Sequence, residues 1–286
     1  MKDLRTIRIF LTVIFFAATV ALLFVGRGLI PMASAAAKVQ IVPSALAATI
    51  GATGFWLVAT IVFGRIYCST VCPMGAIQDS ANWLRRQIRA VLRARGVEVR
   101  SPFTGRLMLR SYSFRPRWRG RKVILFIYLA LLLAGASSLA CLLEPWRILK
   151  AAAADVNPAL SGHPGMMIVG DTTFGVVYGI VVTFGIWLGA LLHGRRFCTN
   201  VCPIGTVLEC VAERSVYRIE IDPDRCVNCM RCEAICKAEA IDVSARLVDN
   251  GRCVRCFDCL KVCNDDAIRL QRGNNRRANP LLTPNS

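Results

Sequence analysis

Four long runs of apolar residues dominate the hydropathy pattern of the chain. Each has about the 20 residues that a helix needs, at about 1.5 Å per residue, to cross a ~30 Å hydrocarbon core. The apolar residues fill each run instead of recurring at the spacing of an amphipathic helix or strand. We therefore expect four transmembrane helices, at residues 7–25, 45–64, 123–143 and 174–192.

The first run has a second interpretation. Its basic start and the small residues at 33–37 resemble a secretory signal peptide with its cleavage site. The apolar stretch is longer than the roughly 7–15 residues typical of such peptides. We favour a retained helix, and the orientation of the chain is the same in either case.

The distribution of Lys and Arg predicts that orientation. Residues 65–122 carry 14 basic side chains and two acidic ones, whereas the loops at 27–44 and 144–173 carry four basic side chains. Basic loops stay in the cytoplasm. We expect a multi-pass protein of the bacterial inner membrane with both termini cytoplasmic. This topology and attraction to anionic lipid account for the net charge of +18, so no nucleic-acid partner is expected.

Eight of the 14 cysteines form two copies of the pattern CxxCxxCxxxC, 27 residues apart. This is the spacing of proteins with two [4Fe-4S] clusters, in which the fourth cysteine of each run binds the other cluster. Cluster 1 is assigned to Cys226, Cys229, Cys232 and Cys263, and cluster 2 to Cys253, Cys256, Cys259 and Cys236. Structural zinc and a disulfide framework are the alternatives, and both fit this spacing less well.

Each cysteine run departs from the usual ferredoxin pattern at one position. A proline usually follows the fourth cysteine, but this chain has Lys237 in the first run and Asn264 in the second. The substitutions leave all eight ligands in place, so the cluster assignment is unchanged.

A second repeat follows the second and fourth apolar runs, at an offset of 130. Residues 64–75 read GRIYCSTVCPMG and residues 194–205 read GRRFCTNVCPIG. Pro73 and Pro203 fit the first position of a new helix, where the N–H that proline lacks has no partner. Two related hairpins would bring together Cys68, Cys72, Cys198 and Cys202. Four thiols are the number that a cluster or a soft metal ion requires; redox-active or structural thiols are the alternative.

With these features the chain resembles the NapH family, membrane ferredoxin-type subunits associated with periplasmic nitrate reduction. The resemblance rests on the four spans, the two CxxxCP motifs and the two-cluster ferredoxin, and it covers residues 65 to about 270. It implies an electron-transfer subunit of a quinol dehydrogenase. Such a subunit passes electrons from the quinol pool, through an iron–sulfur partner subunit, to a periplasmic oxidoreductase such as nitrate reductase.

A maturation or regulatory polyferredoxin for metal-centre assembly is the alternative function, because membrane polyferredoxins of the NosR and CcoG types share the CxxxCP motifs. Quinol oxidation releases protons as well as electrons, so its site needs groups that accept them. The candidates are Glu144 and His163, in the loop expected outside the cytoplasm, and Asp79, beside the first CxxxCP motif. No haem is expected, because His163 and His193 are placed at opposite membrane faces.

The expected fold combines two domains. Residues 1–213 form an all-α membrane domain of four transmembrane helices arranged as two related hairpins. Residues 214–272 form a small α+β ferredoxin domain of the bacterial two-[4Fe-4S] type in the cytoplasm, and residues 273–286 form a flexible tail.

Overall fold

The computed structural model of the protein describes residues 3–25, 50–95, 112–118, 120–134, 143–153 and 172–273. Its first part is helical: α1 (Asp3–Val25), α2 (Ile50–Phe63), α3 (Tyr67–Thr70), α4 (Pro73–Ala94), α5 (Gly120–Leu133), α6 (Pro145–Ala153), α7 (Thr172–His193), a π-helical turn (Phe197–Val201) and α8 (Pro203–Ala212). The second part is mixed: β1 (Tyr217–Ile221), α9 (Arg231–Ile235), β2 (Ile241–Asp242), β3 (Leu247–Val248), α10 (Asp258–Val262) and β4 (Ile268–Arg272).

Within the part of the chain that the structure describes, two helices are long and apolar enough to cross a membrane. They contain the segments Asp3–Ala21 of α1 and Gly175–His193 of α7, with mean hydropathies of 1.8 and 2.1. Large apolar side chains such as Phe10 point outward from them. α2 and α5 have 14 residues each. The second and third predicted spans continue into residues 45–49 and 135–142, which lie outside the described residues, so four spans stay a prediction.

The helix α4 lies across one end of α7. It begins at Pro73, as the sequence predicts. The small side chain of Ala81 packs against Ala190 of α7, and Arg85 Nη1 donates a hydrogen bond to the Leu192 carbonyl (3.0 Å). Because the last carbonyls of a helix lack partners within it, this arginine satisfies the end of α7. The first CxxxCP motif is thereby attached to the end of an apolar helix.

The ferredoxin part repeats its backbone as well as its cysteines. Among the described residues, seven non-glycine residues have positive φ, a conformation that is uncommon outside glycine. Six of them form three pairs separated by 27 residues: Asn228 and Arg255, Met230 and Phe257, Glu239 and Asp266. The helices α9 and α10 are related by the same offset. Both CxxCxxC loops therefore adopt the same tight conformation.

Two small antiparallel sheets close this duplicated part. β1 pairs with β4 in a register that runs from Tyr217 opposite Arg272 to Ile221 opposite Ile268. β2 pairs with β3. The first strand thus meets the last, which encloses the two cysteine loops around a common apolar core that includes Ile219.

One prediction about the fold is wrong. The sequence placed the start of the 144–173 loop across the membrane from the CxxxCP motifs, yet Pro145 and Trp146 line the same cavity as the motif cysteines. The next turn packs as well, since Ile148 contacts Met74 of α4. The reason is the apolar face of α6, which is stabilised by burial against α4 and α7 and would be exposed to water in a loop.

Candidate iron–sulfur centres

The cysteines of the two CxxxCP motifs lie around one cavity. Its walls are formed by Cys68, Cys72, Cys198 and Cys202, with Tyr67, Pro73, Pro145, Trp146, Ile204 and Gly205. Cys68, Cys198 and Cys202 are buried, and Cys72 is half-buried. Two motifs that are 130 residues apart in the chain therefore place four thiols around the same space.

One glycine in each motif allows this close packing. A Cβ atom added to Gly75 would stand 2.2 Å from the Cys68 carbonyl oxygen, and one added to Gly205 would stand 2.3 Å from the Cys198 carbonyl oxygen. Such contacts exclude every other side chain. The helix after each proline therefore packs directly on the first cysteine of its own motif.

Each motif also contributes a buried arginine that donates a hydrogen bond to the backbone of the other motif. Arg65 Nη2 donates a hydrogen bond to the Cys198 carbonyl (2.8 Å), and Arg195 Nη1 donates one to the Cys68 carbonyl (2.8 Å). Both side chains are 0% exposed. The exchange shows that the motifs are related by an approximate twofold axis. A buried guanidinium is stable only beside negative charge. Arg65, whose Nε and Nη1 have no hydrogen-bond partner among the described residues, therefore favours thiolates at the neighbouring cysteines.

A half-buried carboxylate organises the charges around the first motif. Asp79 binds Arg195 (2.8 Å), Lys237 (2.7 Å) and Arg8 (2.7 Å). Burial alone would raise the pKa of Asp79, but these three cations outweigh it and hold that pKa well below its usual range. The carboxylate is therefore charged at neutral pH and is a poor proton acceptor.

The two motifs differ in the side chain that donates a hydrogen bond to a cysteine sulfur across the twofold axis. Gln78 is fully buried, and its Nε2 donates a hydrogen bond to Cys198 Sγ (3.1 Å). The residue 130 positions later is Leu208, which offers no donor. The twofold relation therefore holds for the cysteines and arginines and fails for the side-chain donor to sulfur.

The donor set of the cavity fits an iron–sulfur cluster. Burial raises the pKa of Cys72 to about 12, so the free thiol is neutral and would lose its proton on binding iron. Within the described ranges, no three Cys, His, Asp or Glu side chains are close enough to hold a single metal ion. A cubane cluster, in contrast, is held by four cysteines on four different irons, and its ligands stand farther apart.

In the ferredoxin part, the fourth cysteine of each run lies near the other run. Burial raises the pKa of Cys236 to about 12, and the cysteines that add to this shift are Cys256 and Cys253. The pKa of Cys232 is raised to about 11, again by burial first, with contributions from Cys263 and Cys226. These are the neighbours that cross-ligation requires. The ligand assignments themselves stay predictions.

Two family models match the cysteine-rich regions. A model described as "4Fe-4S binding domain" matches residues 45–90 and 176–219, which contain the two CxxxCP motifs. A second model with the same description matches residues 218–241, which contain the first ferredoxin run. The chain is an iron–sulfur protein.

Curated relatives give a consistent result. The chain is 28% identical to the methylamine utilization ferredoxin-type protein MauN of Paracoccus denitrificans, over 71% of this chain and 59% of the relative. It is 26% identical to the ferredoxin-type protein NapH of Escherichia coli, over 67% of this chain and 55% of the relative. The chain is similar to the NapH and MauN ferredoxin-type proteins. The resemblance drawn from the motifs is confirmed.

The matches cover only part of each relative. NapH of Haemophilus influenzae is 28% identical over 65% of this chain and 52% of its own length. The chain thus spans between half and three fifths of the length of these curated relatives. No solved structure matches it.

Two candidate residues for the quinol site remain. Glu144 is buried, and its carboxylate lies 3.4 Å from Arg147 Nε. His163 lies outside the described residues. Sequence reasoning missed the buried arginines Arg65 and Arg195, although the dipeptide Gly-Arg opens both repeats and pointed to them.

Proposed function

We propose that the chain is a membrane-bound electron carrier with three [4Fe-4S] clusters, which accepts electrons from quinol as part of a quinol dehydrogenase. One cluster is held by Cys68, Cys72, Cys198 and Cys202, and the other two by the ferredoxin cysteines in the cross-ligated arrangement. The convergence of the four CxxxCP cysteines on one cavity, beside one ferredoxin loop, is the observation that carries this proposal.

The contacts between the two parts give the clusters an order. The Ser69 hydroxyl, between Cys68 and Cys72, donates to the Arg255 carbonyl (3.5 Å), and the Arg195 N–H donates to the Lys237 carbonyl (2.8 Å). Arg255 precedes Cys256, and Lys237 follows Cys236. Both CxxxCP motifs thus touch residues that flank ligands of cluster 2. Electrons would pass from the membrane centre to cluster 2 and then to cluster 1.

Cluster 1 is the exit in this order. Its loop is exposed at Cys229, and Val227 and Met230 are 68% and 44% exposed. Exposed apolar side chains around a redox centre suit transient docking of a partner. We assign this loop to the iron–sulfur partner subunit that would carry electrons onward to a periplasmic oxidoreductase.

The source of electrons rests on the family and on the apolar helices. Two helices have the length and composition of membrane spans, and quinol is dissolved in the membrane. The names of the relatives point to different pathways, since one set is named for methylamine utilization. We therefore propose a quinol-oxidising role on the cytoplasmic side of the inner membrane, with nitrate reductase as one of several possible acceptors.

Anaerobic reduction of the purified, cluster-loaded chain by decylubiquinol tests the proposal. We expect bleaching of the iron–sulfur absorbance and the appearance of reduced-cluster resonances in electron paramagnetic resonance. A chain that dithionite reduces fully and quinol does not reduce at all would contradict the quinol role and favour the maturation factor.

A further inference from the structure

A groove between α1 and α4 opens beside the cysteine cavity. Its volume is about 460 Å³, within the range of pockets that hold small organic molecules. Apolar side chains from both helices, Ile9, Val13, Phe16 and Ile77, line most of it, and Arg8 and Asp79 lie at its polar end. The groove therefore suits a ligand with an apolar body and a small polar head.

The polar end has more cations than carboxylates and has an unused donor. Arg8 is 6% exposed and its Nη1 binds Asp79, but its Nε has no hydrogen-bond partner among the described residues. A buried donor without a partner is destabilising, so a ligand that supplies an acceptor would be favoured here. The other two arginines at this end, Arg5 and Arg86, both lie against Asp258 (2.6 and 3.3 Å). Arg8 Nε can donate to an oxygen acceptor such as a quinone carbonyl or a quinol hydroxyl. The position of the groove beside the four cysteines, and not its charge, favours a quinol over a phosphate.

The groove is one layer of residues away from the four cysteines. Thr12, in its wall, donates a hydrogen bond to the Ser69 carbonyl (2.8 Å), and Ser69 lies between Cys68 and Cys72. Another wall residue, Ala76, follows the glycine that packs on the Cys68 carbonyl. A head group at the polar end would thus lie beside the proposed membrane centre, with its tail along the apolar surface of α1.

We propose that this groove binds the head group of an isoprenoid quinol, with Arg8 as its hydrogen-bond donor. The proposal rests on the quinol-oxidising function proposed above and gives it a site. Oxidation of quinol to quinone breaks two O–H bonds and releases two protons and two electrons. The electrons leave singly, each reducing one oxidised iron–sulfur cluster of the chain, and the protons pass to water at the mouth of the groove. Asp79 stays charged and positions Arg8.

A groove-filling variant tests the site. Ala17 is an exposed wall residue, so Ala17→Phe fills the groove without disturbing a buried core. Ile14 on the same helix is 41% exposed and lies outside the groove, which makes Ile14→Phe the matched control. We expect decylubiquinol to reduce the clusters at least tenfold more slowly in Ala17→Phe than in the wild type or the control. Iron content and the rate of reduction by dithionite should be equal in all three.

Photolabelling of the wild-type chain gives an independent readout. An azido-substituted short-chain quinone should label peptides from 3–25 and 73–94, and excess decylubiquinone should suppress the labelling. Labelling that does not compete would indicate a groove filled by lipid chains and would overturn the proposal, as would competed labelling elsewhere. Equal quinol rates in Ala17→Phe and Ile14→Phe would also overturn the site while leaving the function intact. A wild type that quinol cannot reduce would overturn the function itself.

Discussion

The two cysteine loops of the ferredoxin part have the same spacing and the same backbone, yet their surroundings differ. In the loop from Cys226 to Cys232, the side chains of Val227 and Met230 are exposed to solvent. In the loop from Cys253 to Cys259, the equivalent residues Val254 and Phe257 are 1% and 6% exposed. The duplication produced two equivalent ligand sets, and the CxxxCP domain covers only one of them.

The difference in burial between the two loops gives the proposed path of electrons a direction. The covered loop contributes Arg255, a fully buried side chain that donates to the Phe63 carbonyl at the end of α2 (2.9 Å). Its counterpart in the other loop, Asn228, is exposed. Because only one face of the module is docked, the proposed cluster 2 would be the inner acceptor and the proposed cluster 1 the outer donor.

The largest effect should come from replacing the fourth cysteine of either run by serine. Cross-ligation predicts that Cys236→Ser destroys the inner cluster and leaves the outer one, whereas Cys263→Ser does the reverse. Electron paramagnetic resonance at successive reduction levels distinguishes the two. If each variant loses the cluster of its own run, the assignment of the fourth ligands is wrong.

The docked interface should depend on the residue that follows the fourth cysteine. Lys237 is 2% exposed and joins Asp79 of α4 (2.7 Å) to Asp258 of the ferredoxin part (3.3 Å). Breaking a buried ion pair from one side typically costs about 3 kcal/mol, so Lys237→Met should lower the melting temperature clearly. Asn264→Met, at the exposed equivalent position, should change stability by about 0.5 kcal/mol or less. Equal melting curves would show that Lys237 does not hold the interface.

Oxidants should destroy the two proposed ferredoxin clusters at different rates, because their ligands differ in solvent exposure. Because Cys229 is exposed and its counterpart Cys256 is buried, ferricyanide should destroy the outer cluster before the inner one. Iron release followed together with Mössbauer spectra would show two phases. A single phase, or earlier loss of the inner cluster, would contradict the assigned exposure.

The smallest predicted effect concerns the membrane centre, where the two motifs also differ. Hydrogen bonds to ligand sulfur stabilise the reduced, more negative cluster. Removal of the Gln78 donor in Gln78→Leu should lower the reduction potential by roughly 40 mV, which is about 1 kcal/mol for one electron. The reciprocal change Leu208→Gln should raise it, because the twofold relation places the new amide beside Cys68, which Leu208 already contacts. Unchanged reduction potentials in both variants would show that the Gln78 amide does not affect the reduction potential.

Part of this architecture could be predicted because the sequence contains two internal repeats. The offset of 130 predicted that the CxxxCP cysteines meet, and the cavity contains all four. Pro73 marked the start of α4 because proline fits the first turn of a helix. The offset of 27 likewise predicted two equivalent ferredoxin loops. These features follow from local spacing, which a sequence shows directly.

Other features could not be predicted because they depend on contacts between distant segments. Lys237 and Asp79 are 158 residues apart, and no local pattern pairs them; the lysine was recognised only as a departure from the usual proline. The return of Trp146 to the cysteine cavity was missed because charge counting assigns whole loops to one side of a membrane. The groove at α1 was missed because it arises from helix packing.

Iron and acid-labile sulfide analysis of the wild type and of Cys68→Ser tests the central claim most directly. Three clusters predict about 12 irons and 12 sulfides per wild-type chain and about eight of each in Cys68→Ser, with both ferredoxin clusters retained. Cys210→Ser changes an exposed cysteine outside all the ligand sets and should leave the count at about 12. About eight irons in all three proteins would show that the CxxxCP cysteines hold no cluster.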